Sequence, residues 1–142
     1  MHKNTNVIMA LDVGEARIGV AITPPGVMIA QPHKTLMHDA HITKTIQELI
    51  ASYKVTDLVV GNPRNLQGKD TDQTRYVQSF VDGLRSKIDI PIHMQDEALT
   101  SVKAEDELKE RHIPYEKSDI DALAASYILN DYIEEKHRVA HA

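Results

Sequence analysis

The chain has 142 residues, a net charge of -5 and a pI of about 5.9. It is long enough for one domain with its own core and too acidic to be coated in basic residues for nucleic acid. Its 42% apolar and 26% charged residues exclude a largely disordered chain, and the lack of cysteine excludes disulfides and cysteine-ligated zinc. No apolar run reaches the length of a membrane span, and "MHKNTNVIMALDVG" lacks a signal h-region followed by a cleavage site. A single domain over residues 1–142, cytoplasmic and without membrane contact, is expected.

In chain order, "NVIMALDVG" is a continuous apolar run ending in Asp12 and a glycine, the pattern of a buried strand entering a turn. "ARIGVAITPPG" alternates and stops at Pro24, Pro25 and Gly26, and "VMIAQPHKTL" resumes, so the first three strands read as an antiparallel meander. From Asp39 the period becomes helical, with Ile42, Ile46, Leu49, Ile50 and Tyr53 on one stripe. "DLVVG" is a short buried strand; the loop "GNPRNLQGKD" and a helix opening near "DTDQ" follow, with Val77, Phe80, Val81 and Leu84 inward. "IPIHM" is a last strand ending in Asp96 and Glu97. A helix capped by Thr100 or Ser101 carries Val102 and Leu108 on a weak apolar face, and Pro114 separates it from a final helix. That helix shows a capping-box pattern at Ser118 and Asp121, then Ile120, Leu123, Ala124, Tyr127 and Ile128 inward. The order βββ-α-β-α-β-α-α predicts an α/β fold with a central mixed five-stranded sheet, its first three strands antiparallel, flanked by helices.

Histidines are numerous but scattered, and only His38/His41 and His137/His141 have helix-compatible ligand spacing, without the Glu of a metalloprotease motif. "VKAEDELKERHIPYEK" interleaves both signs and reads as a solvated helix face.

Three carboxylates are candidates for one site: Asp12 at the end of the first strand, Glu97 at the end of the last, and Asp121 at the start of the last helix. In such sheets ligands bind beyond the carboxyl ends of the parallel strands. The small residues Ala122, Ala124 and Ala125 would let the helix bring Asp121 to the sheet edge. Taken singly, Asp12 also suits an Asx turn with Gly14, Glu97 a loop acid, and Asp121 a helix cap. Taken together, carboxylates about 5 Å apart repel by roughly 3 kcal/mol at an effective dielectric near 20, so converging acids need protons or a cation. All-oxygen ligation suits Mg²⁺ or Mn²⁺, which would activate water for phosphodiester hydrolysis. Asp96 and Asp119, adjacent to these acids, point elsewhere by alternation or helix phase. Arg17, Arg64, Lys69 and Lys103 are the expected basic rim for phosphates, whereas Gln73 reads as an exposed helix glutamine. Tyr76, Phe80, Tyr115 and Tyr127 read as core or edge residues, so recognition through the backbone is expected over base stacking.

The blocks "LDVGEARIGVAI", "VVGNPRNLQG", "QDEALTSVKAE" and "DIDALAASYIL", in that order, resemble the bacterial YqgF/RuvX family of RNase H-like nucleases over nearly the whole chain. The resemblance implies an RNase H-like fold and an acidic metal site. Asp12 matches the family's first acid, Glu97 the acid of its DERLT-like block and Asp121 that of its DSLAA-like block. It also implies a role in maturing the 5′ end of pre-16S rRNA, or in resolving four-way DNA junctions, by a monomer or homodimer. Two departures stand out: Ala98 replaces the arginine of DERLT, and "GNPRNLQG" replaces a loop close to GLPLNMDG. Ala98 leaves a non-catalytic ribosome-assembly factor as a further reading. An actin-like ATPase is a third, opposed by the absence of a second similar half.

Overall fold

The computed structural model of the protein describes residues 6–65, 67–97, 100–112 and 114–140. Strands β1 (Ile8–Val13), β2 (Arg17–Ile22) and β3 (Gln31–Met37) form an antiparallel meander. They are followed by α1 (Ile42–Tyr53), β4 (Asp57–Pro63), α2 (Asp72–Arg85), β5 (Ile92–Glu97), α3 (Thr100–Glu110) and α4 (Lys117–Ala140). The strands lie in the order β3-β2-β1-β4-β5, with β4 parallel to both β1 and β5. This is the RNase H-like mixed sheet expected from the sequence.

β1 is apolar up to Asp12 because both its faces are covered. Met9, Leu11 and Val13 point to one face, where Ile46 and Leu49 of α1 and Val77, Val81 and Leu84 of α2 complete the core. Ile8 and Ala10 point to the other, against Ala125, Ile128, Leu129 and Tyr132 of α4. α3 packs Ala104 and Leu108 on Leu123 and Ala124 of α4. Among the described residues no helix is long and apolar enough to cross a membrane.

Four local expectations are corrected. β3 starts at Gln31, opposite Ile22, because the preceding residues are spent on a turn in which Val27 N donates to Pro24 O (3.2 Å) and Gly26 takes φ +78°. Tyr53 ends α1 43% exposed, its ring edge-on to His33, since the inward stripe stops at Leu49 and Ile50. α4 starts at Lys117, so Ser118 and Asp121 are not its capping box; Asp119 Oδ2 instead accepts from Glu116 N (2.9 Å). Ile120 and Tyr127 pack with Ala104 and Leu108 of α3, not on the sheet. Thr100 and Ser101 as caps, and Val102 on the α3 face, concern side chains outside the described residues.

Candidate active site

Side chains alternate along a strand, so Asp12 shares the face of Ile8 and Ala10, the one that α4 covers. Its register partner in β2 is Gly19. A Cβ at Gly19 would stand inside van der Waals contact with the Asp121 carbonyl, so this glycine is what lets the first turns of α4 lie directly on the sheet. Ala122 and Ala125, both buried, extend the close approach along the helix, while Ala124 packs toward α3.

That approach sets Asp121 beside Asp12. Burial, and secondarily the charge of Asp121, push the Asp12 carboxyl up from 3.8 to about 6. With the helix end satisfied by Asp119, the Asp121 side chain is available to another partner. Arg17, at the start of β2, donates from Nε to Asp121 Oδ2 at 2.6 Å.

The turn after Asp12 is braced from outside. Gly14 N donates to Arg17 O (2.9 Å), Gln73 Nε2 of α2 donates to Val13 O (3.1 Å), and His38 Nδ1 lies 2.7 Å from Gly14 O. The Tyr76 hydroxyl lies 3.2 Å from the same His38 nitrogen. Gln73 is thus no free surface glutamine; its amide reaches across to hold the β1 end, a role that helix phase could not reveal.

Glu97 also points to the α4 face, in line with His93 and Gln95 along β5, but at a different place. β5 is two strands from β1, and Glu97 pairs with Pro63, beyond the level of Asp12. Strand spacings of 4.7–4.9 Å and rises near 3.3 Å put the two Cα atoms roughly 12 Å apart. The groups acting on Glu97 come from α4 and α3. Burial first, then the hydrogen bond and charge of Asp131, raise its carboxyl well above the usual range; Glu135 adds to this and Lys103 opposes it. Its Oε1 is buried without a hydrogen-bond partner. Glu135 also accepts from Gln95 Nε2 (3.0 Å). Among the described residues no three acids or histidines converge closely enough to form one metal-binding group. The structure therefore brings Asp12 and Asp121 together and sets Glu97 against Asp131.

Of the expected basic rim, Arg17 is bound to Asp121. Arg64 is paired with Asp70 and lies 3.0 Å from Asp96. Lys103 lies over the Tyr127 ring (5.2 Å to its centroid) near Glu97, and Lys69 is exposed. Asp96, on the opposite face of β5 from Glu97, also accepts from Asn62 Nδ2 (2.9 Å), and these partners hold its carboxyl below the usual range. Gly61 is buried within β4 with Ile128 packed on it and does not belong to the loop; Gly68, at φ +75°, does.

The donor set suits a hard divalent cation. Asp12 and Asp121 offer paired carboxylate oxygens destabilised by their own proximity, and Mg²⁺ is commonly held by one or two carboxylates with water completing its shell. The orphaned Glu97 Oε1 is a further carboxyl oxygen on the same face.

Residues 6–135 match the family described as "RuvX: Holliday junction resolvase". The chain belongs to the RuvX family. A RuvX relative from Roseiflexus sp. (strain RS-1), named "Putative pre-16S rRNA nuclease", is 46% identical over 140 residues, covering 96% of this chain and 99% of its own. One of the same name from Maridesulfovibrio salexigens is 38% identical over 131 residues, covering 89% and 96%. Among solved structures, Thermus thermophilus RuvC in complex with a Holliday junction substrate superposes with a TM-score of 0.58 at 15% identity, over 92% of this chain and 96% of that one. That likeness is one of fold. As a RuvX member the protein is a nuclease, a hydrolase acting on nucleic acid.

Two features of this RuvX site went unread in the sequence. Gly19 interrupts the apolar strand "RIGVAI", a sign of close backbone approach. Asp131 and Glu135 continue the helical stripe of Asp121, Ala124 and Ile128 at spacings of three and four, acids where an inward stripe calls for apolar residues. Ala98, at the position of the family arginine, lies outside the described residues.

Proposed function

We propose that this RuvX protein is a metal-dependent endonuclease that hydrolyses phosphodiester bonds in maturing the 5′ end of pre-16S rRNA in the cytoplasm. The observation that carries the reading is the Asp12–Asp121 pair, held together across Gly19 at the carboxyl edge of the sheet. The names of the 46% and 38% identical relatives support the RNA substrate. In this reading Asp12, Asp121 and Glu97 are the catalytic acids and hold Mg²⁺ or Mn²⁺, with Glu97 turning from Asp131 toward the pair. The chemistry supplied by such a cation when bound is activation of a water nucleophile and neutralisation of the leaving oxygen. The protein's own part is to fix the acids: β1 and α4 present two carboxylates on packed elements, and Gln73 and His38 hold the turn behind them. Arg17, Arg64, Lys69 and Lys103 orient the substrate through its phosphates.

The family description favours a second reading, four-way DNA junctions as substrate. A resolvase makes symmetric cuts and calls for a homodimer, whereas trimming an RNA end is open to a monomer.

The test is cleavage of a 5′-extended ribosomal RNA precursor and a four-way DNA junction, side by side with Mn²⁺, by the wild type and Asp12→Asn. RNA cut by the wild type alone supports the leading reading, and cutting confined to the junction selects the second. Equal cutting by both proteins would remove Asp12 from the mechanism.

A further inference from the structure

We propose that Arg17 is an exchangeable counter-ion of the acidic site: it holds Asp121 while no divalent cation is bound, yields that carboxylate to the cation, and is then freed to take a substrate phosphate. The inference rests on the metal-dependent reading above.

The geometry separates a fixed partner from a movable one. Asp121 belongs to a helix whose backbone rests on Gly19, so its carboxylate has little room to retreat. Arg17 is the first residue of β2, its side chain 35% exposed against 19% for Asp121, and a long flexible stem joins its charge to the strand. Its 2.6 Å contact engages Oδ2 of the carboxylate that the proposed cation would share, and so competes with it for that charge. The like charge beside it, Asp12, raises the attraction for any cation of higher valence.

Charge balance gives the exchange its direction. Asp12 and Asp121, when ionised, carry two negative charges and Arg17 one positive, leaving the cluster net negative and repelling nucleic acid. A divalent cation neutralises both carboxylates. The guanidinium is then a surplus positive charge at the sheet edge, matched to one phosphodiester and able to bind its oxygens in bidentate fashion. Glu97 does not compete for Arg17, since the charged groups acting on it are Asp131, Glu135 and Lys103.

The experiment compares the full-length wild type, Arg17→Gln and Arg17→Lys in two assays. Calorimetric titration with Mn²⁺ reads metal affinity. Fluorescence anisotropy with a labelled 5′-extended ribosomal RNA precursor, in Ca²⁺ and in EDTA, reads nucleic-acid affinity. Arg17→Gln is expected to bind Mn²⁺ about tenfold more tightly, because the competitor is gone, yet to bind the RNA about tenfold more weakly in Ca²⁺ and without loss in EDTA. Arg17→Lys, which keeps the charge, is expected to restore both values toward the wild type. A residue that merely braced Asp121 would give weaker Mn²⁺ binding in Arg17→Gln. If the wild type binds Mn²⁺ and Arg17→Gln binds it no more tightly, the exchange is wrong and the metal site stands. If the wild type binds no Mn²⁺, both fall.

Discussion

Gly19 has no side chain, yet it sets the distance between Asp12 and Asp121. A methyl group there meets the Asp121 carbonyl, which is helix backbone and cannot swing aside. In an ordinary strand a glycine-to-alanine change gains stability; Gly19→Ala is instead expected to cost about 1–3 kcal/mol as an overpacked site, read as a lower urea midpoint. An unchanged or raised midpoint would show that α4 does not rest on this residue. Glu97 is the reverse case, a side chain held where its charge is unwelcome. Glu97→Gln spares the folded chain the proton that this raised carboxyl must take up at pH 7.5, and is expected to stabilise the metal-free protein by about 1 kcal/mol, since solvent screens the half-exposed group. Equilibrium denaturation in EDTA measures it, and a destabilised variant would contradict the raised Glu97 carboxyl.

At the scale of elements, α4 connects the two acidic positions. Its second turn carries Asp121 to Gly19, Ile128 packs on Gly61, and Asp131 and Glu135 reach β5. α2 serves the site from the other side of the sheet. Thr71 caps it by accepting from Thr74 N (3.3 Å), while the Thr74 hydroxyl donates to Pro63 O, tying the helix to the end of β4. Thr71→Ala is expected to cost about 1 kcal/mol in a urea unfolding curve, the usual loss of an N-cap. Gln73→Ala leaves the helix intact but frees Val13 O. Faster amide exchange at residues 13–17 with an unchanged urea midpoint is the expected signature, and unaltered exchange would deny the brace.

For the whole molecule, the site makes stability depend on pH and cations together. Asp12 has a folded-state pKa of about 6 against 3.8 for a free aspartate side chain, so the folded chain binds this proton more tightly than the unfolded one. The sign follows: the metal-free protein loses stability from this group as pH rises from about 4 through about 6. A cation that binds the ionised pair reverses the loss, because it binds the native state alone. Saturating Mn²⁺ is thus expected to raise the melting temperature by several degrees at pH 7.5 and by much less at pH 5, about 4–8 °C per kcal/mol for a domain near 100 residues and less for larger ones. Equal shifts at both pH values would detach metal binding from these carboxylates.

The order of the elements, the meander and the sheet-and-helix placement of Asp12 and Asp121 were legible in the sequence, because they depend on periodicity and turn residues within short windows. The close approach of α4 was half legible, through its alanines, while its counterpart Gly19 passed as one more strand residue. What only the tertiary structure decided is the pairing of side chains far apart in the chain: Arg17 with Asp121 across 104 residues, Gln73 with Val13 across 60, and Glu97 with Asp131. Local pattern states which face a residue takes. Its partner depends on how helices cross the sheet, and that crossing is set by packing at Gly19 and Gly61, where an absent side chain leaves no periodicity to read.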